Sequence, residues 1–543
     1  MVFARRSTTL LAAIIASCAM VLSLTACTSD NKTVVDGQTT VTSNSAGGVA
    51  VFTPSDGITL NQQTPLNKWA KLVPDLAKAL ADAGFTKGDI DHTTSDSLAK
   101  QSRAIQDFVV DHLSNNTTDD SGIAIAPDNM TLLVAPVVEA DASTRQYGDY
   151  ISQNLSTNDA TDEGATSDGE SSEDDSSKDD SSNTESDSTA SDEQAQAVDR
   201  LVSSLKLAKE SGMHVVLLGN SIEGYKPDAF VKFSDAQTIG KLQAEKMVSK
   251  LKLDKASKDN PKYIEVLLPY TAVDEKGNAN DSTFAQEAFR GIWQVLGSYY
   301  QKGVVESPSG TLDGKSTEND WQAVAYDAAK EGSTAKVLDK RLAKTDGQST
   351  LTRIDGIITM NDYIASEVVK ELDDLGYTGS AADINPQITI SGIVGNITGK
   401  KDLSRDAVPD PIKSPENDNA NDSSSSDDDA DEDTSASDKD RDSQWPLVTG
   451  YGAYVSNIPS IVNGKQWMTG MEDRQTIATD IAQACAKLNK DEALNSMPSI
   501  RNSEVGGVKK IPTISEPLLA VSASNLKSAL IDPGYISLAD AGL

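Results

Sequence analysis

The chain is poor in the residue types that build metal and redox sites. It has three cysteines and three histidines in 543 residues. Cys18 and Cys27 lie in the apolar N-terminal region, which leaves Cys485 without a partner for a disulfide or a Cys-x-x-Cys pair. The histidines are far apart in sequence, which disfavours a zinc site. We therefore predict no metal, no cofactor and no disulfide.

Long apolar runs are absent beyond the first residues. Arg5 and Arg6 precede an apolar segment at 10–24, which leads into Leu-Thr-Ala-Cys at 24–27. This order is typical of a signal peptide over residues 1–26 whose Cys27 is lipidated. A plain secretory signal and a short membrane helix are the alternatives, but the apolar run is shorter than the roughly 20 residues that a span needs.

The N-terminal pattern predicts an extracytoplasmic protein that is anchored to the cell membrane by lipidated Cys27 alone. Residues 27–46 are rich in Ser, Thr, Asn and Gly and are expected to form a flexible stalk.

Positive charge is scarce, and the net charge is -34. Two tracts, at 158–193 and 416–443, carry about -23 of it. Their Ser, Asp and Glu residues cannot bury enough apolar surface to fold, so we predict two disordered acidic inserts. The sign of the charge disfavours nucleic acid as a partner. A calcium site is the alternative for these tracts, but a D-x-D-x-D-G loop is absent.

The remaining sequence alternates between strand and helix patterns. Near-continuous apolar strands of this kind predict an α/β fold with parallel sheets covered by helices on both faces. The predicted strands are 49–52, 130–138, 214–218, 230–233, 263–268 and 354–359. The predicted helices begin near residue 64 and otherwise span 98–113, 197–209, 238–251, 284–299 and 364–375.

Polar residues follow many of these strands directly. The loops are 53–56, 219–221, 234–235, 277–281 and 360–362. Ligands of parallel sheets bind beyond the carboxyl ends of the strands, and amide and carboxylate groups suit sugar hydroxyls. The same residue types also cap helices, and for Ser234 and Asp281 both roles stay open.

Several segments resemble the xylose-type and multiple-sugar-binding periplasmic proteins. VKFSDAQTIGKLQAEKMV at 231–248 resembles their V-S-F-D-N-x-x-V-G-x-L-Q-A, and GNANDSTFAQEAFRG resembles their D-D-N-N-A loop. IDGIITMNDYIASEVVKEL, NGKQWMTGMEDRQTIATDIAQACAKL and SNLKSALIDPGYISLADAGL match later family segments in order. The resemblance covers most of residues 47–543.

The resemblance implies a type I periplasmic-binding fold, in which two α/β lobes joined by three crossovers close on a sugar. The N-terminal lobe would comprise residues 47–222 and 467–512, and the C-terminal lobe residues 223–466 and 513–543. The crossovers would fall near 220–228, 464–467 and 513–518.

The resemblance and the polar loops together suggest a set of ligand-binding residues. Lys68 and Trp69 match a sugar-contacting pair in the first helix, although Trp69 also fits the apolar stripe of that helix. The predicted ligand-binding residues are Lys68, Trp69, Asn220, Asp235, Asn280, Asp281, Asn361, Asp362, Tyr451 and Glu472.

Residues 445–454, WPLVTGYGAY, depart from the family pattern. Gly452 replaces an aspartate of the family strand V-T-G-Q-D-A, and Tyr451 takes the preceding Gln. Glu472 occupies the position of a lysine in the family segment T-V-Y-K-D, and Asn220 occupies the position of an arginine in Y-D-R-L. Losing charged hydrogen-bond partners could remove most sugar affinity unless the new residues recreate it for another ligand. The run QITISGIV at 387–394 is a rival for the same strand.

Two functions remain open. The first is a monomeric solute-binding lipoprotein of an ABC importer, which binds a sugar or sugar-like solute by lobe closure and delivers it to a permease. The second is a non-transport surface sensor or interaction protein with a remodelled or inactive pocket. An enzyme is disfavoured, because the polar loops contain no nucleophile motif and no phosphate loop.

Overall fold

The computed structural model describes residues 33–35, 38–40, 46–55, 65–115, 129–138, 144–157, 184–273, 280–343, 351–381 and 445–543. The predicted signal peptide, Cys27, the strand candidate 387–394 and the acidic insert at 416–443 lie outside these residues. Two compact units are present, residues 1–44 and 45–543. In the first unit, β1 (Thr33–Val35) pairs antiparallel with β2 (Gln38–Thr40), inside the predicted stalk.

The second unit contains the other strands and the helices. The strands are β3 (Gly48–Pro54), β4 (Ile90–Ser95), β5 (Met130–Val134), β6 (Asn154–Leu155), β7 (His214–Leu218), β8 (Ser221–Ile222), β9 (Ala229–Val231), β10 (Lys262–Val266), β11 (Leu268–Pro269), β12 (Val305–Glu306), β13 (Ala325–Tyr326), β14 (Gly356–Ile358), β15 (Leu447–Tyr451), β16 (Met468–Met471), β17 (Ile500–Val505), β18 (Val508–Ile514) and β19 (Leu519–Ser522).

The α-helices are α1 (Trp69–Asp82), α2 (Leu98–Asn115), α3 (Thr184–Glu210), α4 (Ala236–Leu251), α5 (Thr283–Gln301), α6 (Trp321–Val324), α7 (Ser333–Arg341), α8 (Asp362–Leu375), α9 (Ile458–Val462) and α10 (Arg474–Leu488). Within the described residues, none of the helices is long and apolar enough to cross a membrane.

Two large sheets organise the second unit. The first has the order β17-β18-β9-β7-β5-β3-β4, and the second has the order β12-β10-β14-β15-β16-β19. The central strands of both sheets are parallel, whereas β17 and β19 are antiparallel to their neighbours. In both sheets the parallel strands follow the doubly wound order 2-1-3-4-5, which places a topological switch point beside the first strand. The α/β fold of two lobes with covered parallel sheets is therefore confirmed.

Helices cover both faces of each sheet. In the first lobe, α1 and α10 pack on one face and α2 and α3 on the other. In the second lobe, α4 and α5 pack on one face and α7 and α8 on the other. The stripe Trp69, Leu72, Leu76 and Leu80 of α1 is buried, because residues three or four apart share one helix face.

The lobe boundaries differ from those that the sequence suggested. The resemblance implies that residues 223–231 belong to the second lobe, but β9 pairs with β7 and β18 in the first sheet. It implies that 467–471 belong to the first lobe, but β16 pairs with β15 and β19 in the second sheet. Within the described residues, the chain passes between the sheets at 232–235, 472–473 and 515–518.

Two sequence features are settled by the sheet pairing and the helix bounds. The segment at 445–451 supplies β15, which lies between β14 and β16 in the second sheet. The helix that we predicted from residue 197 begins at Thr184, so residues 184–193 of the first acidic tract are helical. Acidic residues in the first turns of a helix interact favourably with its dipole, and this is a physical reason for the earlier start.

Candidate functional site

The strand ends of the two sheets face each other through residues that follow β5 and β14. Nδ2 of Asn361, after β14, lies 3.1 Å from Oε1 of Gln146, after β5. The Tyr454 hydroxyl, after β15, donates to the Gln146 carbonyl oxygen at 2.7 Å. The carboxyl ends of parallel strands therefore meet between the lobes, which is where α/β sheets bind ligands.

A buried polar cluster joins two of the passages between the sheets. Ser234 lies in the first passage and Glu472 in the second. The Ser234 N–H donates to Oε1 of Glu472 at 2.6 Å, and the Ser234 hydroxyl donates to the same oxygen. The hydroxyl oxygens of Ser234 and Tyr451 lie 2.5 Å apart. The N–H of Glu472 donates to Oδ1 of Asn67 at 3.3 Å. We call Ser234, Tyr451 and Glu472 the hinge cluster.

The hinge cluster contains a carboxylic acid, Glu472, that changes its charge near neutral pH. Burial raises the pKa of Glu472 to about 7, although the hydrogen bonds from Ser234 and Tyr451 lower it and the charge of Asp235 raises it. Burial, and after it the Glu472 charge, raises the pKa of Tyr451 well above its ordinary value. Tyr451 therefore stays a neutral hydroxyl, and Glu472 is the group in this cluster that titrates near physiological pH.

Asp362 belongs to a second buried network, inside the second lobe. Its Oδ1 accepts from Nε2 of Gln466 at 2.7 Å, and its Oδ2 accepts from the Tyr454 N–H and the Thr469 hydroxyl, both at 2.9 Å. Burial raises the pKa of Asp362 to about 6 against the lowering effect of these donors. The carboxylate therefore ties β16, Gln466 ahead of it and the turn after β15 to the start of α8.

Asn361, the neighbour of Asp362, has a divided role. Its Oδ1 caps α8 by accepting the Ile364 N–H at 2.9 Å, while its Nδ2 faces Gln146 across the lobes. The side chain is fully buried. Asn361 is therefore both a helix cap and part of the surface between the lobes.

Lys68 and Trp69 lie at the start of α1, and both contact the segment that follows β5. Nζ of Lys68 forms an ion pair with Oδ1 of Asp149 at 2.6 Å, and the Trp69 N–H donates to Oδ2 of Asp149 at 3.1 Å. The Trp69 ring is 3% exposed and packs edge-on against Tyr150 and Phe233. Trp69 thus fills the core of the first lobe, one of the two roles that its sequence position allowed.

Four predicted ligand residues serve local structure. Asn220 bonds the Pro136 carbonyl and the Gln153 N–H, both at 2.9 Å. Nδ2 of Asn280 donates to the Thr271 carbonyl at 2.8 Å. Asp235 caps α4, and Asp281 accepts from the N–H and hydroxyl of Thr283 at the start of α5. The structure does not bring these four residues into the hinge cluster.

Gly452 stands where the resemblance places a sugar-binding aspartate. Its φ is +114°, a conformation that favours glycine, and a Cβ atom there would lie 2.9 Å from the Tyr454 ring and 3.3 Å from Pro65. Its carbonyl accepts the Leu66 N–H at 2.9 Å. The backbone before α1 and the Tyr454 ring therefore occupy the space beside this position.

Sequence reasoning missed the residues after β5, at 144–150. Gln146, Tyr147, Asp149 and Tyr150 contact both lobes, yet the sequence analysis named none of them as site residues. The signal that could have found them is RQYGDY at 145–150, which has two tyrosines in a chain with 5% aromatic residues. Among the described residues, no group of three or more His, Cys, Asp and Glu side chains could hold a metal ion.

Comparisons with known proteins found similar solved structures only. No protein-family profile matches the chain, and no curated protein matches it. A solute-binding protein of an ABC transporter from Clostridium phytofermentans, with bound β-D-glucose, is 17% identical, with 91% of this chain and 99% of that chain covered and a TM-score of 0.44. A carbohydrate-transporter solute-binding protein from Chloroflexus aurantiacus, in complex with D-glucose, is 18% identical, with 92% and 98% covered and a TM-score of 0.42.

A sugar ABC transporter protein from Actinomyces odontolyticus is also similar. It is 10% identical, covers 89% of this chain and 97% of its own, and has a TM-score of 0.43. Similarity at this level does not assign a ligand to this chain.

Proposed function

We propose that this chain is an extracytoplasmic solute-binding protein of an ABC importer, which binds a sugar or sugar-like solute between its lobes and delivers it to a permease. The observation that carries the proposal is that Asn361 and Gln146 meet across the carboxyl ends of two doubly wound sheets. In the part of the chain that the structure describes, three short passages join these sheets, an arrangement that permits hinge closure around a small molecule. Anchoring through lipidated Cys27 and a monomeric state are part of the same proposal.

The chemistry between the lobes supports a polar, uncharged solute. Tyr451 supplies a ring face and a hydroxyl, and Asn361 supplies an amide. Rings stack on the apolar faces of sugars, while amides and hydroxyls bond their hydroxyl groups. The ammonium of Lys68 is paired with Asp149 in this structure, so that residue provides no free cation while the pair is intact.

A screen of solutes tests the proposal. The chain without its predicted signal peptide is heated with pentoses, hexoses, oligosaccharides, nucleosides and polyols. A solute at one hundred times its dissociation constant stabilises the native state by roughly 2.7 kcal/mol, which moves the melting temperature measurably. We expect at least one sugar or polyol to do so.

Variants locate the binding site of any solute that binds. Asn361→Ala should weaken binding at least tenfold in isothermal titration, measured at a temperature where the variant is folded because the lost cap costs about 1 kcal/mol. Asn319→Ala, an exposed asparagine of the second lobe, is the matched control. Equal affinities in the two variants would place the solute elsewhere.

The second candidate function is a sensor or interaction protein that no longer binds a solute. It is favoured by one observation, that Lys68, Asn220 and Asn280 already have protein partners. A folded chain that binds nothing in the screen would support this candidate over the importer role.

A further inference from the structure

The segment at 146–150 lies between the lobes and is bonded to both. On the first lobe, the Asp149 N–H donates to the Asn67 carbonyl at 2.8 Å, and the Asp149 carboxylate accepts from Lys68 and from the Trp69 N–H. The Tyr150 hydroxyl donates to the Lys68 carbonyl at 2.5 Å. These bonds fix the segment to the start of α1.

On the second lobe, the same segment makes polar and ring contacts. Gln146 bonds Asn361 and Tyr454, as described above. The Tyr147 ring lies 4.7 Å from the Phe284 ring and 6.2 Å from the Tyr451 ring, measured between centroids. Tyr147 is 1% exposed and packs in the main core cluster of the second lobe, although it follows a strand of the first.

The contacts of this segment coincide with the predicted ligand-binding residues. Asp149 forms an ion pair with Lys68 and accepts from the Trp69 N–H. Gln146 accepts from Asn361, and the Tyr147 ring packs near the Tyr451 ring. The resemblance predicts that these four residues line one solute site. If they do, the segment fills the space that a solute would need.

The segment lies in a long connection between β5 and α3. The chain between β5 and α3 runs from 135 to 183, whereas such connections in α/β proteins usually have 2–6 residues. Gly148 has φ +100°, and a Cβ atom there would lie 2.5 Å from the Asn67 carbonyl oxygen. The turn thus needs a glycine in order to approach the first lobe.

One polar atom of the segment, the Tyr147 hydroxyl oxygen, is poorly accommodated between the lobes. The Tyr147 hydroxyl is buried and makes no hydrogen bond of normal geometry in the described part of the chain. Burial raises its pKa, and the nearby Asn361 side chain offsets only part of that rise. A buried hydroxyl without a hydrogen bond is unfavourable. A solute hydroxyl that bonds Asn361 and the neighbouring groups can therefore compete with this side chain.

We propose that residues 146–150 act as a built-in ligand, which holds the lobes closed without solute and must leave before a solute binds. The inference rests on the proposed function, because it describes how the solute site is regulated. A protein whose competent state is only fractionally populated binds with an affinity reduced by that fraction. Weakening the segment should therefore tighten solute binding.

Two variants with opposite effects test this. Tyr147→Ala combined with Asp149→Asn removes contacts to both lobes and changes no predicted ligand residue. It should tighten binding of the best sugar among D-xylose, D-glucose and D-ribose at least tenfold in isothermal titration. Tyr147→Phe keeps the ring and removes the unbonded hydroxyl, so it should hold the segment in place and leave affinity equal or weaker. Ser156→Ala, exposed and next to β6, is the control.

A second readout needs no solute. Small-angle X-ray scattering of the double variant should show a larger radius of gyration than the parent chain. Hydrogen exchange should speed up at positions 69 and 149, whose N–H groups bond between the segment and the first lobe in the parent chain. Sugar affinity that falls or stays within twofold in the double variant overturns the inference. If no sugar binds to any variant, the importer proposal fails, and unchanged scattering and exchange then overturn the built-in ligand as well.

Discussion

The hydroxyl oxygens of Ser234 and Tyr451 lie 2.5 Å apart, although 217 positions separate the two residues. Ser234 belongs to the first passage between the sheets and Tyr451 ends β15 of the second sheet. The Ser234 N–H and hydroxyl also bond Glu472, which lies in the second passage. Two of the connections between the sheets are thus bonded to each other through one serine.

Glu472→Gln should flatten the pH dependence of stability. The pKa of Glu472 is raised in the folded state to about 7 from an ordinary 4.5, so the folded chain binds more protons than the unfolded chain between these values. The contribution of Glu472 to stability is therefore full below about pH 4.5 and is lost as pH rises to about 7. The loss is roughly 3 kcal/mol at 1.36 kcal/mol per pKa unit.

The measurement is urea denaturation of the parent chain and the variant at pH 5 and pH 8. The Gln variant should gain roughly 2–3 kcal/mol relative to the parent between these values. Glu318→Gln, at an exposed glutamate, should run parallel to the parent. Parallel curves for Glu472→Gln would show that this carboxyl does not titrate near neutrality.

Asp362→Ala should destabilise the second lobe. The change leaves the buried Tyr454 N–H and the Thr469 hydroxyl without their acceptor and opens a cavity beside them. Removing one partner of a buried charged network costs about 3 kcal/mol or more. Urea denaturation at pH 7.5 measures the loss. Asp339→Ala, at an exposed residue of α7, should change stability by less than about 0.5 kcal/mol.

Gly450→Ala should also destabilise the chain, through the same carboxylate. A Cβ atom at Gly450 would lie 2.1 Å from Oδ1 of Asp362 and 2.8 Å from Nε2 of Gln466. The new methyl group must displace a buried network, and overpacking of this kind costs about 1–3 kcal/mol. Gly314→Ala is the control, because its nearest neighbour would be 3.4 Å away. A thermal melt in which both variants match the parent would contradict the packing.

The strand and helix order was readable from the sequence because buried parallel strands are continuous apolar runs and the helices show a 3.6-residue stripe. The lobe boundaries were not readable in the same way. Residues 468–471 read as MTGM, a short apolar run that fits either sheet. Its partners, β15 and β19, are fixed only by tertiary pairing.

The sequence shows which polar residues follow the strands, but it does not show what each of them contacts. Asp235 caps α4, whereas Asn361 caps α8 and also reaches the other lobe, and the sequence looks alike at both places. An Asn or Asp after a strand satisfies helix N–H groups and ligands with the same atoms. Whether such a residue only caps a helix or also faces the other lobe depends on which residues the fold places beside it. Asn361 faces the other lobe because Gln146 lies next to it.

Arg474→Lys should weaken the link between α1 and the C-terminal segment. Nε of Arg474 bonds Asp75 at 2.6 Å, a second guanidinium nitrogen donates to the Leu66 carbonyl at 3.3 Å, and the guanidinium lies 4.4 Å from the centroid of the Tyr535 ring. Lysine has a single ammonium and cannot bond two acceptors and stack on a ring at once. The loss should be about 1–2 kcal/mol in urea denaturation.

Arg501→Lys is the matched control for this prediction, because the exposed Arg501 guanidinium bonds the nearby Pro498 and Ile500 carbonyls. Its stability should stay within about 0.5 kcal/mol of the parent. Arg474 follows directly after the second passage between the sheets, so its loss should also loosen the hinge. Hydrogen exchange over 472–476 should then rise in Arg474→Lys and not in Arg501→Lys, whereas equal exchange in both would limit Arg474 to a role in packing.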